Sequence, residues 1–228
     1  MTRYAFMRWL VRFIARTYLV GLFTVRGRES APRTGGLIVC GNHASNADPP
    51  LVPAFLPRPD SWSMAKAEYF EGGGFKPWMF KSYRCFPVVR HTADRAAIRR
   101  ALALLAAGQA VVVYPEGTRV EDGRLRRPEP GAGFLALRSG APVLPVAAIG
   151  TERCFPKGAF LPRRSQVELV YGRAFKVLPR WPDGRRVGFQ EASDAIMLRI
   201  AELMPEASRG AFAGLEEGLR RLDPILEL

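Results

Sequence analysis

Apolar positions along this chain change their period several times, and each change marks an element. Leu37 to Cys40, Leu51 to Leu56 and Ala110 to Tyr114 are short runs without polar interruption. The first and third predict strands covered on both faces. The second opens with Pro49-Pro50 and closes at Pro57-Arg58-Pro59, which predicts a short helix from residue 49 to 55. The clearest helix spans 94–107: Asp94 caps it, Ala97, Ile98, Ala101, Leu102 and Leu105 form one face, and Gly108 ends it. Further strands are expected at 25–28, into Ala65, and over 85–90, 143–149 and 166–171. Helices are expected at 132–138, 188–204 and about 208–222, with Gly72-Gly73-Gly74 as a flexible break. Strands alternating with helices predict an α/β fold with a mixed, largely parallel sheet flanked by helices.

Residues 1 to about 25 follow another pattern. Arg3, Arg8, Arg12 and Arg16 recur every four or five positions among Phe6, Trp9, Leu10, Phe13, Ile14 and Tyr18. Arginines interrupt the run too often for a transmembrane span, and no small-residue cleavage site follows an apolar core. Aromatic bulk beside an arginine stripe is the composition of a helix lying in a membrane interface, with Arg3, Arg8, Trp9, Arg12, Phe13 and Arg16 as membrane-contacting residues. The alternative is an amphipathic helix packed on the domain with its arginines in water. The division expected is a helical membrane-associating segment, 1–28, followed by an α/β domain with C-terminal helices, 29–228.

Composition narrows the partners. The 228 residues carry a net charge of +13 and a pI near 10.5. That field attracts anionic membrane, phosphorylated substrates or acidic carriers. No helix-turn-helix, finger or RNP-type stretch is present, so nucleic acid is not an expected partner. Cys40, Cys85 and Cys154 are far apart, which excludes a CxxC cage and suits a reducing cytoplasm. With two histidines and no ligand-spaced acidic cluster, no metal site is expected.

The candidate chemistry falls just after predicted strands, where open α/β sheets form ligand crevices. Asn42-His43-Ala44-Ser45-Asn46-Ala47-Asp48-Pro49-Pro50 follows the first run. A histidine and an aspartate supply an acid/base pair, the carboxylate fixing the tautomer. Five residues turn a helix through about 500°, so the two side chains meet only if the segment is a loop that folds back. The competing reading is a turn in which Asp48 is merely the N-cap, and both can hold together. Lys66, Arg90 and the turn Glu116-Gly117-Thr118-Arg119 close other strands.

These segments, in this order, resemble the glycerolipid acyltransferases of the 1-acylglycerol-3-phosphate O-acyltransferase type. His43-x4-Asp48 looks like the family's first block, and residues 86–90 are similar to the second. Pro115-Glu116-Gly117-Thr118-Arg119 matches the third, and Ala141-Pro142-Val143-Leu144-Pro145-Val146 resembles the fourth. The resemblance covers roughly residues 35 to 150. It implies acyl transfer from a thioester to a lysophospholipid hydroxyl, giving phosphatidic acid, with His43 as general base and Asp48 orienting it. Lys66, Arg90, Glu116, Gly117, Thr118 and Arg119 would line the acceptor site, the cations taking its phosphate and Glu116 meeting a glycerol hydroxyl or Arg119. No cofactor is implied; acyl-CoA or acyl carrier protein is the co-substrate. The partners would be an anionic phospholipid membrane and the lysophospholipid, at the cytoplasmic face of the cell membrane. Other acceptors, glycerol-3-phosphate or a lyso-aminolipid, stay open, as does a non-catalytic basic membrane-binding protein.

Overall fold

A computed structural model describes residues 1–89 and 94–228; Arg90, singled out above, lies outside the described residues. The chain opens with α1 (Arg3–Tyr18), β1 (Phe23–Arg26), β2 (Leu37–Gly41), α2 (Asp48–Phe55), β3 (Ser61–Lys66) and α3 (Phe75–Ser82). It continues through β4 (Cys85–Val88), α4 (Arg95–Ala106), β5 (Ala110–Val113), α5 (Gly131–Ser139), β6 (Val143–Ile149) and the single turn α6 (Thr151–Cys154). It closes with β7 (Val167–Tyr171), β8 (Lys176–Val177), α7 (Phe189–Ala201), α8 (Leu215–Leu222) and β9 (Leu226–Glu227).

One sheet runs β1-β7-β6-β2-β5-β3-β4. Strands β6, β2, β5, β3 and β4 are parallel, β7 is antiparallel to β6, and β1 is parallel to β7. β8 and β9 form a separate pair. The expected mixed, largely parallel α/β sheet is therefore present. Its middle strands are buried on both faces, as their unbroken apolar runs require. Ile38, Cys40, Val111 and Val113 pack with Ala101, Leu135 and Ile196 of the helices α4, α5 and α7. Leu37, Val39 and Val112 point the other way, toward Val52 and Phe55 of α2 and Ala15 of α1. Each such aliphatic side chain contributes about 1.5–3 kcal/mol when fully covered.

Several boundaries move. Asp94 caps α4 as expected, its carboxylate accepting from Ala96 and Ala97 N–H at 3.0 Å. Residue 48 is the first helical residue of α2, with Ala47 as N-cap, so Asp48 is one position inside the helix rather than its cap. β1 begins at Phe23 and stops at Gly27, whose φ of 70° leaves room for no side chain: a Cβ there would lie 2.0 Å from the Tyr171 carbonyl oxygen. Because β1 pairs with β7, the division at residue 28 cuts through the sheet; residues 23–26 belong to the α/β layer. After the glycine run comes α3, which the sequence reading passed over because Pro77 and three glycines mask its eight residues. The last helix is shorter than expected, since Gly210 and Gly214 break 206–214 into single turns.

The orientation of α1 also corrects an expectation. Arg8 is 6% exposed and gives its Nη2 to the carbonyls of Ala54, at 3.2 Å, and Leu56. Arg12 Nε donates to Ala54 O at 2.5 Å. Both guanidinium groups satisfy carbonyls left free at the C-terminus of α2, so neither lies on an outward membrane face. Arg3 and Arg16 are exposed. Outward instead are Phe6, Trp9 and Phe13, their rings stacked at 6.0 and 5.5 Å. This amphipathic helix presents its aromatic face to solvent.

Candidate active site

The parallel strands deliver the candidate residues to one edge. β2 ends at Gly41, and Asn42 extends its pairing with β6 by side chain: Nδ2 donates to Ala148 O at 2.9 Å and Oδ1 accepts Ala148 N–H at 2.7 Å. His43 follows, 5% exposed. Its carbonyl accepts the Val120 N–H at 2.8 Å, and its own N–H donates to Glu116 Oε2 at 2.8 Å. The ring is thereby held from both sides of its backbone.

The chain then folds back as the five-residue spacing requires. His43 Nδ1 lies 3.2 Å from Asp48 Oδ2, and the same oxygen accepts the Ser45 N–H at 2.7 Å. Asp48 is fully buried in the first turn of α2, where the helix dipole favours a negative charge. A carboxylate at Nδ1 selects the tautomer with its proton there and leaves the lone pair on Nε2. Nε2 has no hydrogen-bond partner among the described residues. Tyr114 packs on the imidazole with ring centroids 4.5 Å apart. Its hydroxyl and Asp48 Oδ1 are both buried without a partner.

Glu116 takes a different place from the one expected. It is 6% exposed, and its second oxygen accepts the Arg126 N–H at 3.0 Å. Both oxygens accept backbone N–H groups, so Glu116 holds the His43 loop and the 126 segment to the end of β5; among the described residues no hydrogen bond or ion pair joins it to Arg119. Burial pushes its carboxyl up to about 7, against the two N–H bonds that favour the anion. The unfolded carboxyl sits near 4.5, so the folded state binds this proton more tightly. The associated stability is complete below about pH 4.5 and is lost as pH rises through about 7, roughly 2–4 kcal/mol in all. Urea unfolding of wild type and Glu116→Gln across this range is expected to differ by that slope; parallel profiles would place the titration elsewhere.

Gly117 sits at φ 68°, the left-handed conformation that lets the turn from Tyr114 close, with Gly117 N–H on Tyr114 O at 3.0 Å. Thr118 and Arg119 follow, half-buried, and Arg119 has no hydrogen bond or ion pair among the described residues. Lys66 ends β3 on the same edge and pairs with Glu68 at 2.8 Å, both partly exposed. Among the described residues no hydrogen bond joins Lys66 or Arg119 to the His43–Asp48 pair; topology sets them on the same edge. Cys40 lies inside the core, and burial holds its thiol far above the ordinary range, so it is no nucleophile. Tyr114 escaped the sequence reading as the last residue of a strand, although an aromatic just before Pro115-Glu116 was its visible signal.

Comparison with known proteins bears on the family and the fold. The acyltransferase family profile matches residues 22–149. A 1-acyl-sn-glycerol-3-phosphate acyltransferase of Bacillus subtilis is 30% identical over 156 residues, covering 68% of this chain and 74% of that one. A chloroplast protein of the same description from Brassica napus is 39% identical over 62 residues, which span 27% of this chain but only 18% of the plant protein. The crystal structure of the 1-acyl-sn-glycerophosphate acyltransferase of Thermotoga maritima superposes with a TM-score of 0.67 at 26% identity, over 92% of this chain and 77% of that one. With over half its length inside the family profile, a relative of that description covered over most of its length, and its sheet matched by a solved relative, this chain belongs to the acyltransferase family of the 1-acylglycerol-3-phosphate O-acyltransferases.

Proposed function

We propose that the chain moves an acyl group from a thioester to the free hydroxyl of a lysophospholipid, with 1-acylglycerol-3-phosphate as acceptor and phosphatidic acid as product. The observation that carries this reading is the 3.2 Å contact of His43 Nδ1 with a buried Asp48, which leaves Nε2 for chemistry. Nε2 takes the acceptor's hydroxyl proton as that oxygen attacks the thioester carbonyl. The new C–O bond pushes the carbonyl electrons onto oxygen, giving a tetrahedral oxyanion. Its collapse breaks the C–S bond, and the leaving thiolate recovers the proton from the His43 imidazolium that Asp48 has stabilised. No acyl-enzyme is formed.

Arg119, Lys66 and Arg90 supply cations for the acceptor phosphate, the guanidinium groups by bidentate hydrogen bonds. The Lys66–Glu68 bridge is exposed enough to be worth little, so Lys66 can turn to an anion. Gly117 and Thr118 shape the turn that presents Arg119. The co-substrate is acyl-CoA or an acyl carrier protein thioester, drawn from the cytoplasmic side by the +13 charge. Comparing initial rates on 1-acylglycerol-3-phosphate, glycerol-3-phosphate and a lyso-aminolipid tests the acceptor. The first should have the highest kcat/KM, and Arg119→Ala should raise its KM more than it lowers kcat. Equal rates on an acceptor without a free phosphate monoester would reject the assignment.

The outward face of α1 serves to reach that acceptor. Among the described residues no helix is long and apolar enough to cross a membrane. Phe6, stacked on Trp9 and through it on Phe13, shares a groove with Trp78 of α3, whose ring meets Phe75, and the Tyr18 hydroxyl, donating to Pro162 O at 2.6 Å, ties in the loop that exposes Phe160 and Leu161. This apolar surface lies in the lipid interface. Replacing Trp9 and Phe13 by serine should weaken cosedimentation with anionic vesicles about tenfold or more without unfolding the chain. Unchanged binding would reject the interfacial face.

A further inference from the structure

A second basic site lies at the other end of α2. Arg8 and Arg12 of α1, Arg28 from the turn after β1, and Arg33 ahead of β2 line an open cavity of about 510 Å³ with one carboxylate, Glu29. Arg58 also reaches its wall, but Asp60 already neutralises it. Helix α2 runs from Asp48 in the catalytic pair to the carbonyls of Ala54 and Leu56 that Arg8 grips. Its eight residues span about 12 Å, and Arg33 and Arg58 precede β2 and β3. The cavity is therefore at the N-terminal edge of the parallel strands, opposite the edge that carries His43, Lys66 and Arg119.

Two observations suit this cavity to an anion. Arg8 lines the cavity although only 6% exposed, its Nη2 held on the Ala54 and Leu56 carbonyls. Arg28 and Arg33 make no ion pair or side-chain hydrogen bond among the described residues, while Arg12 gives only its Nε to the protein. Crowding is felt by Arg12, whose pKa is lowered first by burial and then by the guanidinium groups of Arg8, Arg28 and Arg16. Besides Arg58, folding has gathered four guanidinium groups around a space that offers them one carboxylate, Glu29.

We propose that this cavity is a phosphate-binding site, separate from the catalytic edge, that takes a phosphate monoester. A carboxylate fills one guanidinium fork, whereas a tetrahedral dianion offers oxygens to several at once, which suits arginines arriving from three segments. The space exceeds a bare phosphate and admits a phosphorylated head group. Such a group can arrive as soluble phosphate or on a lipid, since α1 carries the site's Arg8 and Arg12 beside its exposed aromatic face.

The test uses the full chain in the Arg119→Ala background, which weakens any competing phosphate site at the catalytic edge. Inorganic phosphate should raise its Tm, and adding Arg28→Ala and Arg33→Ala should weaken the apparent affinity about tenfold or more. Among the described residues these two side chains make no hydrogen bond or ion pair, so the variant should remain folded, as its Tm without phosphate will report. A parallel arm measures binding to phosphatidylcholine vesicles with and without phosphatidic acid. Selective loss of phosphatidic acid-dependent binding in the same variant supports the site with a lipid as its source. Loss of the inorganic phosphate effect alone supports it with a soluble source. An undiminished phosphate effect in the variant, or none in its parent, overturns the proposal.

Discussion

Replacing His43 by alanine should lower thioester-dependent acyl transfer about 10²–10⁴-fold, the range that a general base supplies. The fold should survive, because the loop is held by backbone bonds that alanine keeps: His43 N–H to Glu116 and Val120 N–H to His43 O. Asp48→Asn separates charge from shape. An amide can still accept the Ser45 N–H, but it cannot stabilise an imidazolium, and its NH₂ face favours the wrong imidazole tautomer. Its loss should therefore approach that of His43→Ala, with little change in acceptor KM. Circular dichroism and initial rates together check both; an Asp48→Asn protein with near wild-type kcat would leave the carboxylate as a helix-start residue only.

The largest loss of stability should come from Arg58→Ala, about 3–5 kcal/mol by urea unfolding. Arg58 is 2% exposed. Its Nε and Nη2 take both Asp60 oxygens at 2.6 and 2.5 Å, Nη1 reaches Pro32 O at 3.2 Å, and Nη2 also reaches Gly35 O and Gly108 O at 2.8 Å. One side chain thus fastens the segments that enter β2, β3 and β5. Burial raises the Asp60 carboxyl, yet the hydrogen bond and charge of Arg58 outweigh it and leave the pKa lowered. Alanine would strand that carboxylate and three carbonyls together. Activity per folded molecule should be retained, since these contacts lie at the edge opposite His43. A cost below about 1 kcal/mol would mean that water replaces the guanidinium without penalty.

What was legible in the sequence follows what the sequence encodes locally. β6 spans 143–149 as expected because an unbroken apolar run bounded by Gly140 and Gly150 admits little else. α4 was readable from its cap and its period. The His43–Asp48 contact was legible because a five-residue spacing demands a loop if the two are to meet. The tethering role of Glu116 was not legible because its partners are backbone N–H groups of His43 and Arg126, which carry no residue identity. Arg8 and Arg12 were misplaced for a related reason. An amphipathic stripe says that two faces differ, while the carbonyls of Ala54 and Leu56, more than forty residues onward, decide which face turns inward. The arginine cavity was hidden likewise, since its members come from α1, the turn after β1 and the approach to β2.

The most direct measurement is thiol release from an acyl thioester, with and without 1-acylglycerol-3-phosphate, for wild type and His43→Ala side by side. Direct attack by a His43-activated hydroxyl predicts release by the wild type only when acceptor is present, matched by phosphatidic acid formed, and almost none from the variant. Equal release by the two proteins, or release by the wild type without acceptor, would contradict it.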